Sequence, residues 1–235
     1  AERLNDMFKV LIDPDDTAAM VIECLQGEGG FIPAPEGYLK RVHEILKEHN
    51  ILLIVDEIQS GFCRTGKWFC HEHYGIEPDI VTMAKSLAGG MPLSAVAAKA
   101  DIFDKMYAGS VGGTYAGNPL SCAAALKVIE IFVRDDYPAK SRHIGEVCRA
   151  RFEAWQKEFP ERIGDVRGLG GMIGIEFVKD SKTKEPDGAA VAAIKNEALQ
   201  NGLILLDAGV NGNIIRILVP LCISDEHLAT GLDIM

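Results

Sequence analysis

The sequence contains no apolar run that approaches the length of a membrane span, so no transmembrane helix is expected. It has no internal repeat, no low-complexity tract and no long run of like charge, which indicates neither a repeat array nor a disordered tail. Positive charge is in deficit: 24 Lys and Arg face 34 Asp and Glu, for a net charge of −10. That balance argues against a general binder of nucleic-acid backbones. The cysteines Cys24, Cys63, Cys70, Cys122, Cys148 and Cys222 show no paired spacing. They read as reduced thiols of a cytoplasmic protein rather than as a disulfide framework. Cys63, Cys70, His71 and His73 fall close together but match no standard zinc spacing, so no metal site is expected.

What is present suits one large domain or two small ones: 235 residues, 48% of them hydrophobic. The chain is organised around the stretch from Ile51 to Pro92. Ile51 to Val55 is a continuous apolar run, the pattern of a strand buried in a parallel sheet, and it stops abruptly at Asp56. A carboxylate there lies where open α/β sheets bind ligands. A second short apolar run, Ile80 to Met83, delivers Lys85 among the small residues Ala84, Ser86, Ala88, Gly89 and Gly90. Two neighbouring strands thus present an acid and an amine at one edge. Pyridoxal phosphate requires such a set: an acid against its pyridine nitrogen and a lysine to bond its aldehyde, with the amine's pKa lowered by a desolvated site. A structural Asp–Lys ion pair fits the same spacing, and spacing alone does not choose between them.

The residues themselves add a resemblance. Asp56-Glu57-Ile58-Gln59-Ser60-Gly61, Arg64-Thr65-Gly66 and Ala84-Lys85-Ser86-Leu87-Ala88-Gly89-Gly90 closely resemble the class III aminotransferases. So do Gln26-Gly27-Glu28-Gly29-Gly30, Gly113 to Pro119 and Arg216 to Leu221, in the same order along nearly the whole chain. The resemblance implies a pyridoxal-phosphate transferase of fold type I, in its 4-aminobutyrate branch, exchanging amino groups between small amino acids and 2-oxo acids. Other ω-amine branches, acetylornithine and ornithine among them, and a non-catalytic fragment stay open.

The resemblance also implies roles. Lys85 would bond the cofactor and shuttle a proton, Asp56 would hold the pyridinium, and Gln59 the ring hydroxyl. Thr114 would reach the phosphate of a neighbouring subunit, implying a homodimer or a dimer of dimers. Arg216 would bind a substrate α-carboxylate, with Glu28 as its alternative partner, so that one pocket takes both an ω-amino acid and glutamate. Glu23 joins Glu28 and Arg216 on the substrate side; the family's usual proline after it is replaced by Cys24. Without the resemblance, Glu28 is a solvated loop acid, Gln59 a loop cap, Thr114 a turn residue and Arg216 an edge-strand arginine.

In chain order, a helix ending near Phe8 precedes a buried strand over residues 18–24. The glycine-rich stretch after it reads as a loop, lacking the Lys and Ser/Thr of a phosphate-binding P-loop. Leu39, Val42, Ile45 and Leu46 have helical spacing over residues 37–50. Residues 93–98 read as a strand returning antiparallel, and residues 101–107 as a short helix. Pro119 opens a helix at its favoured first position. The composition shift at Arg134-Asp135-Asp136-Tyr137-Pro138 marks a boundary, giving residues 1–135 as part of a large α/β, mostly parallel-sheet domain. Residues 136–235 then form a small α+β domain: a helix over 139–158, strands over 172–178, 203–206 and 214–219, and helices over 189–200 and from Ser224. Because the first family motif falls near the middle of the resembled proteins, the sequence is expected to be part of a longer chain.

Overall fold

The computed structural model describes residues 1–235. Its strands are β1 (Ala19–Ile22), β2 (Leu25–Gln26), β3 (Ile32–Pro33), β4 (Leu52–Asp56), β5 (Ile80–Met83), β6 (Ala95–Ala98), β7 (Ile163–Leu169), β8 (Met172–Phe177), β9 (Leu206–Ala208) and β10 (Ile214–Ile217). Its helices are α1 (Glu2–Val10), α2 (Tyr38–Glu48), α3 (Ala100–Phe103), α4 (Pro119–Arg134), α5 (Tyr137–Glu158), α6 (Gly188–Gln200) and α7 (Asp225–Ile234). No helix is long and apolar enough to cross a membrane.

The chain divides into two compact units. The first comprises Ala1–Cys24, Ala34–Phe62 and Trp68–Asp135; the second comprises Leu25–Pro33, Cys63–Lys67 and Asp136–Met235. Two short segments assigned by sequence to the first unit, Leu25–Pro33 and Cys63–Lys67, therefore pack in the second. A hairpin and a loop carry no core of their own, so their membership follows whichever sheet they bury against.

In the first unit the sheet order is β1-β4-β5-β6. β1, β4 and β5 run parallel and β6 returns antiparallel. The helical spacing of Leu39, Val42, Ile45 and Leu46 buries all four from α2, which supports β4. β4 alternates between fully and partly buried residues, so one of its faces is sealed and the other half-open. The expected burial of residues 18–24 is not met throughout, because β1 lies at the edge of the sheet and Val21 is exposed. Phe62, Leu87, Ala88 and Ala125 form a core under the 3-10 turn Lys85–Ala88, walled by Trp68, Phe69 and Phe132.

In the second unit the sheet is antiparallel, in the order β7-β8-β10-β9. α5 lies on β7 and β8, and α6 on β8 and β10. Gly145 permits the close approach of α5: a Cβ there would lie 2.1 Å from the Gly170 carbonyl oxygen. Two expectations are corrected here. Residues 163–167 form most of β7, where no strand was expected; Gly164 and Gly168 within it conceal the strand pattern. The strand expected over residues 203–206 instead occupies Leu206–Ala208, because its register is set by the Gly209–Gly212 turn into β10.

Candidate active site

The acid and the amine are delivered by adjacent parallel strands. Asp56 is the last residue of β4 and lies in register with Thr82 of β5; β5 ends at Met83, and Lys85 follows. The Asp56 carboxylate is oriented by its own surroundings: its Oδ1 accepts the Ile58 N–H at 2.9 Å and the Thr82 hydroxyl at 3.3 Å. Lys85 opens the 3-10 turn with φ at +46°. The left-handed region is costly for a residue with a Cβ, so the fold holds this lysine in a conformation it would not choose. The lysine was expected to be desolvated, yet it is exposed.

Gln59 is half-buried in the turn after Asp56. Glu23 is half-buried just beyond β1. Thr114 lies in an exposed turn within residues 104–118. Asp56, Gln59 and Lys85 thus share one sheet edge and its adjoining turns, while Thr114 sits on a separate exposed loop of the same unit.

Sequence reasoning missed Glu57. Next to Asp56, it is fully buried, and its carboxylate is saturated by local donors. The Ser60 hydroxyl donates to Oε2 at 2.6 Å and the His71 N–H to Oε1 at 2.9 Å. The His71 ring Nδ1 also lies 3.1 Å from Oε1. A buried carboxylate is tolerable only when so bonded, and here the bonds tie residues 57–71 to the end of β4, which fixes Asp56 from behind. The available signal was alternation: if Asp56 faces the edge, its neighbour faces inward. Cys24 lies in the same interior, where burial and then the Glu57 charge push its thiol pKa up, so it is an inert core residue.

In the second unit the glycine-rich stretch forms the tip of the β2–β3 hairpin. Arg216 is in the middle of β10, where its cross-strand partner on β8 is Gly174. Its Nη1 donates to Glu28 Oε1 at 2.5 Å; the arginine side chain is 13% exposed and the glutamate 72%. The Arg216 Nε is buried without a hydrogen-bond partner. A guanidinium so placed retains donor capacity for a further carboxylate, while Glu28 can move away into solvent. Arg64 serves structure: its Nη1 donates to the Val219 carbonyl, and its own carbonyl accepts from Ser141.

The family model for "Aminotransferase class-III" matches residues 1–235. The chain is 48% identical over 234 residues to a probable 4-aminobutyrate aminotransferase of Bacillus subtilis, covering 100% of this chain and 53% of that protein. It is also 48% identical over 229 residues to the 5-aminovalerate aminotransferase of Pseudomonas putida, covering 97% and 53%. Among solved structures, the taurine:2-oxoglutarate aminotransferase of Bifidobacterium kashiwanohense, in complex with PLP and glutamate, superposes with a TM-score of 0.91 at 27% identity, over 99% of this chain and 53% of that one. The chain therefore spans about half the length of the curated relatives it matches. With the family model running from the first residue to the last, the chain belongs to the class III aminotransferases.

Proposed function

We propose that the protein carrying this chain is a pyridoxal-phosphate-dependent ω-amino acid:2-oxo acid aminotransferase. Its amino donor would be 4-aminobutyrate and its acceptor 2-oxoglutarate, giving succinate semialdehyde and glutamate. The cofactor is the family's. The residues present fit it: an oriented carboxylate ends one parallel strand, and a lysine with an accessible amine follows the next. Bound, pyridoxal phosphate supplies an aldehyde that takes the amino group and a ring that accepts the electrons of a substrate carbanion. Asp56 would hold the proton on the ring nitrogen, kept in orientation by Thr82 and Ile58. Gln59 would donate to the ring hydroxyl. Lys85 Nζ would move the proton at the substrate carbon that carries the amine. Thr114 would bind the phosphate of a second subunit, which makes the enzyme a homodimer or a dimer of dimers.

The observation that carries the substrate reading is the Glu28–Arg216 pair. An ω-amino acid has no carboxylate at the reacting carbon, so Arg216 would be left uncompensated there unless Glu28 neutralised it. Glutamate brings an α-carboxylate, for which Arg216 would leave Glu28. Glu23 would contribute on the substrate side. The experiment compares single-turnover half-reactions of the pyridoxal-phosphate-loaded protein with 4-aminobutyrate and with glutamate. Glu28→Ala should slow the first by roughly tenfold relative to the second, equivalent to about 1.4 kcal/mol. An unchanged ratio would sink the exchange of partners.

A second reading has its own support: the relative from Pseudomonas putida is named for 5-aminovalerate at the same 48% identity. The two donors differ by one methylene, which an apolar pocket separates by only about 1–3 kcal/mol. Measuring kcat/KM for both with the same protein decides between them.

A further inference from the structure

We infer that Arg167 is a positioning residue for substrate choice: it fixes the hairpin tip so that Glu28 can engage and release Arg216 without the backbone moving. This deepens the proposed exchange of partners and rests on it.

Across the second-unit sheet, Arg167 of β7, Gly174 of β8 and Arg216 of β10 are successive cross-strand partners, so they form one row on one face. The middle of the row has no side chain, and the hairpin tip drops into that gap. A Cβ at Gly174 would lie 3.3 Å from Phe31 Cβ and 3.4 Å from the Gly30 carbonyl oxygen. The tip is then held at three points. The Arg167 Nε donates to the Gly30 carbonyl at 3.0 Å. The Gly209 N–H donates to the Glu28 carbonyl at 2.9 Å. Arg216 holds the Glu28 carboxylate. Only the third contact involves the side chain that must move. When it breaks, the two backbone contacts remain, and Glu28 swings from a fixed root.

In charge terms Arg167 does not stand in for Arg216, because its own charge is already matched. Its Nη1 lies 2.8 Å from Asp165 and 2.5 Å from Glu176. One face of the sheet therefore carries two arginines with separate tasks: one compensated and holding backbone, the other ion-paired with the exposed Glu28.

The test uses the pyridoxal-phosphate-loaded protein and two readouts. In Arg167→Gln, amide hydrogen exchange of residues 25–33 should accelerate, and the ratio of 4-aminobutyrate to glutamate half-reaction rates should fall in the same direction as in Glu28→Ala. The double variant R167Q/E28A should fall no further than E28A alone, since both changes remove the same neutralisation of Arg216. Should R167Q fail to fold with Asp165 and Glu176 left uncompensated, R167Q/E176Q keeps the cluster at the parent's net charge and is read the same way. If E28A shifts the ratio while the Arg167 variant leaves both the ratio and the exchange of 25–33 unchanged, the role of Arg167 is overturned and the exchange of partners stands. Additive effects of R167Q and E28A overturn it as well. An unchanged ratio in E28A itself overturns the underlying reading, whatever Arg167 does.

Discussion

The two sheets place their charged residues by opposite means. In the parallel sheet, Asp56 and Lys85 stand at and just past strand ends, where the apolar run stops and the chain is free to turn. In the antiparallel sheet, Arg216 stands in mid-strand, accommodated because Gly174 opposite has no side chain and a hairpin fills the gap. A charge at a strand end draws first on its neighbours along the chain, here the Ile58 N–H, with one hydroxyl added from the adjacent strand, that of Thr82. A charge in mid-strand depends on segments distant in sequence, here Glu28 and Gly30. The first arrangement should tolerate changes elsewhere in its sheet, while the second should be sensitive to any residue that moves the hairpin.

The sharpest probe of the first arrangement is Asp56→Asn in the cofactor-loaded protein. On the proposed role of Asp56 it removes the charge that would face the ring nitrogen, and it should lower kcat by on the order of 10²–10³-fold, the usual cost of losing a preorganised electrostatic partner. Thr82→Val, which removes only the hydroxyl on Oδ1, should cost a few-fold in the same assay, since the Ile58 N–H still orients the carboxylate. Equal losses would show that Asp56 is held from across the sheet after all. Next in size is Glu57→Ala. It strands the Ser60 hydroxyl and the His71 N–H in a buried cavity and should destabilise the fold by about 2–4 kcal/mol, read as a lower urea midpoint.

For the second arrangement, Gly174→Val should both destabilise, by about 1–3 kcal/mol through overpacking, and lower the 4-aminobutyrate to glutamate ratio by lifting the hairpin. Destabilisation without a change in ratio would separate packing from substrate choice. The smallest expected effect concerns the outer strand. The Lys195 ammonium bonds Asp207 of β9 and pulls its carboxyl below the ordinary carboxylate range. A depressed folded pKa gives stability that is present above the unfolded value, near 4, and lost as pH falls through the folded one. Both side chains are partly exposed, so Lys195→Met should cost about 0.2–1 kcal/mol at pH 7. The difference from the parent should vanish on acidification below that range.

Legibility in the sequence follows the same division. The parallel strands, α2, α4 and the positions of Asp56 and Lys85 were readable because each is announced locally, by an apolar run, a helical spacing or a proline at a first helical position. β7 was not, because its two glycines interrupt the alternation; β9 was misplaced, because the turn after it and not its own residues sets its register. Glu57 was concealed by its neighbour: two adjacent acids read as one polar strand end, and only the surrounding donors show that one of them is interior. The exposure of Lys85 was invisible for the converse reason, since small residues nearby suit a crowded site and an open one equally well.

Lys85, held at φ +46°, has a consequence for how such a chain changes under selection. The left-handed backbone costs a residue with a Cβ roughly 1–2 kcal/mol, which glycine would recover at an entropic cost of about 0.5–1 kcal/mol in the unfolded state. A library selected for heat resistance alone, with no demand for turnover, should therefore enrich glycine at position 85. On the proposed role of Lys85, the same library held to catalysis should keep the lysine, and the gap between the two outcomes measures what that backbone conformation costs the fold.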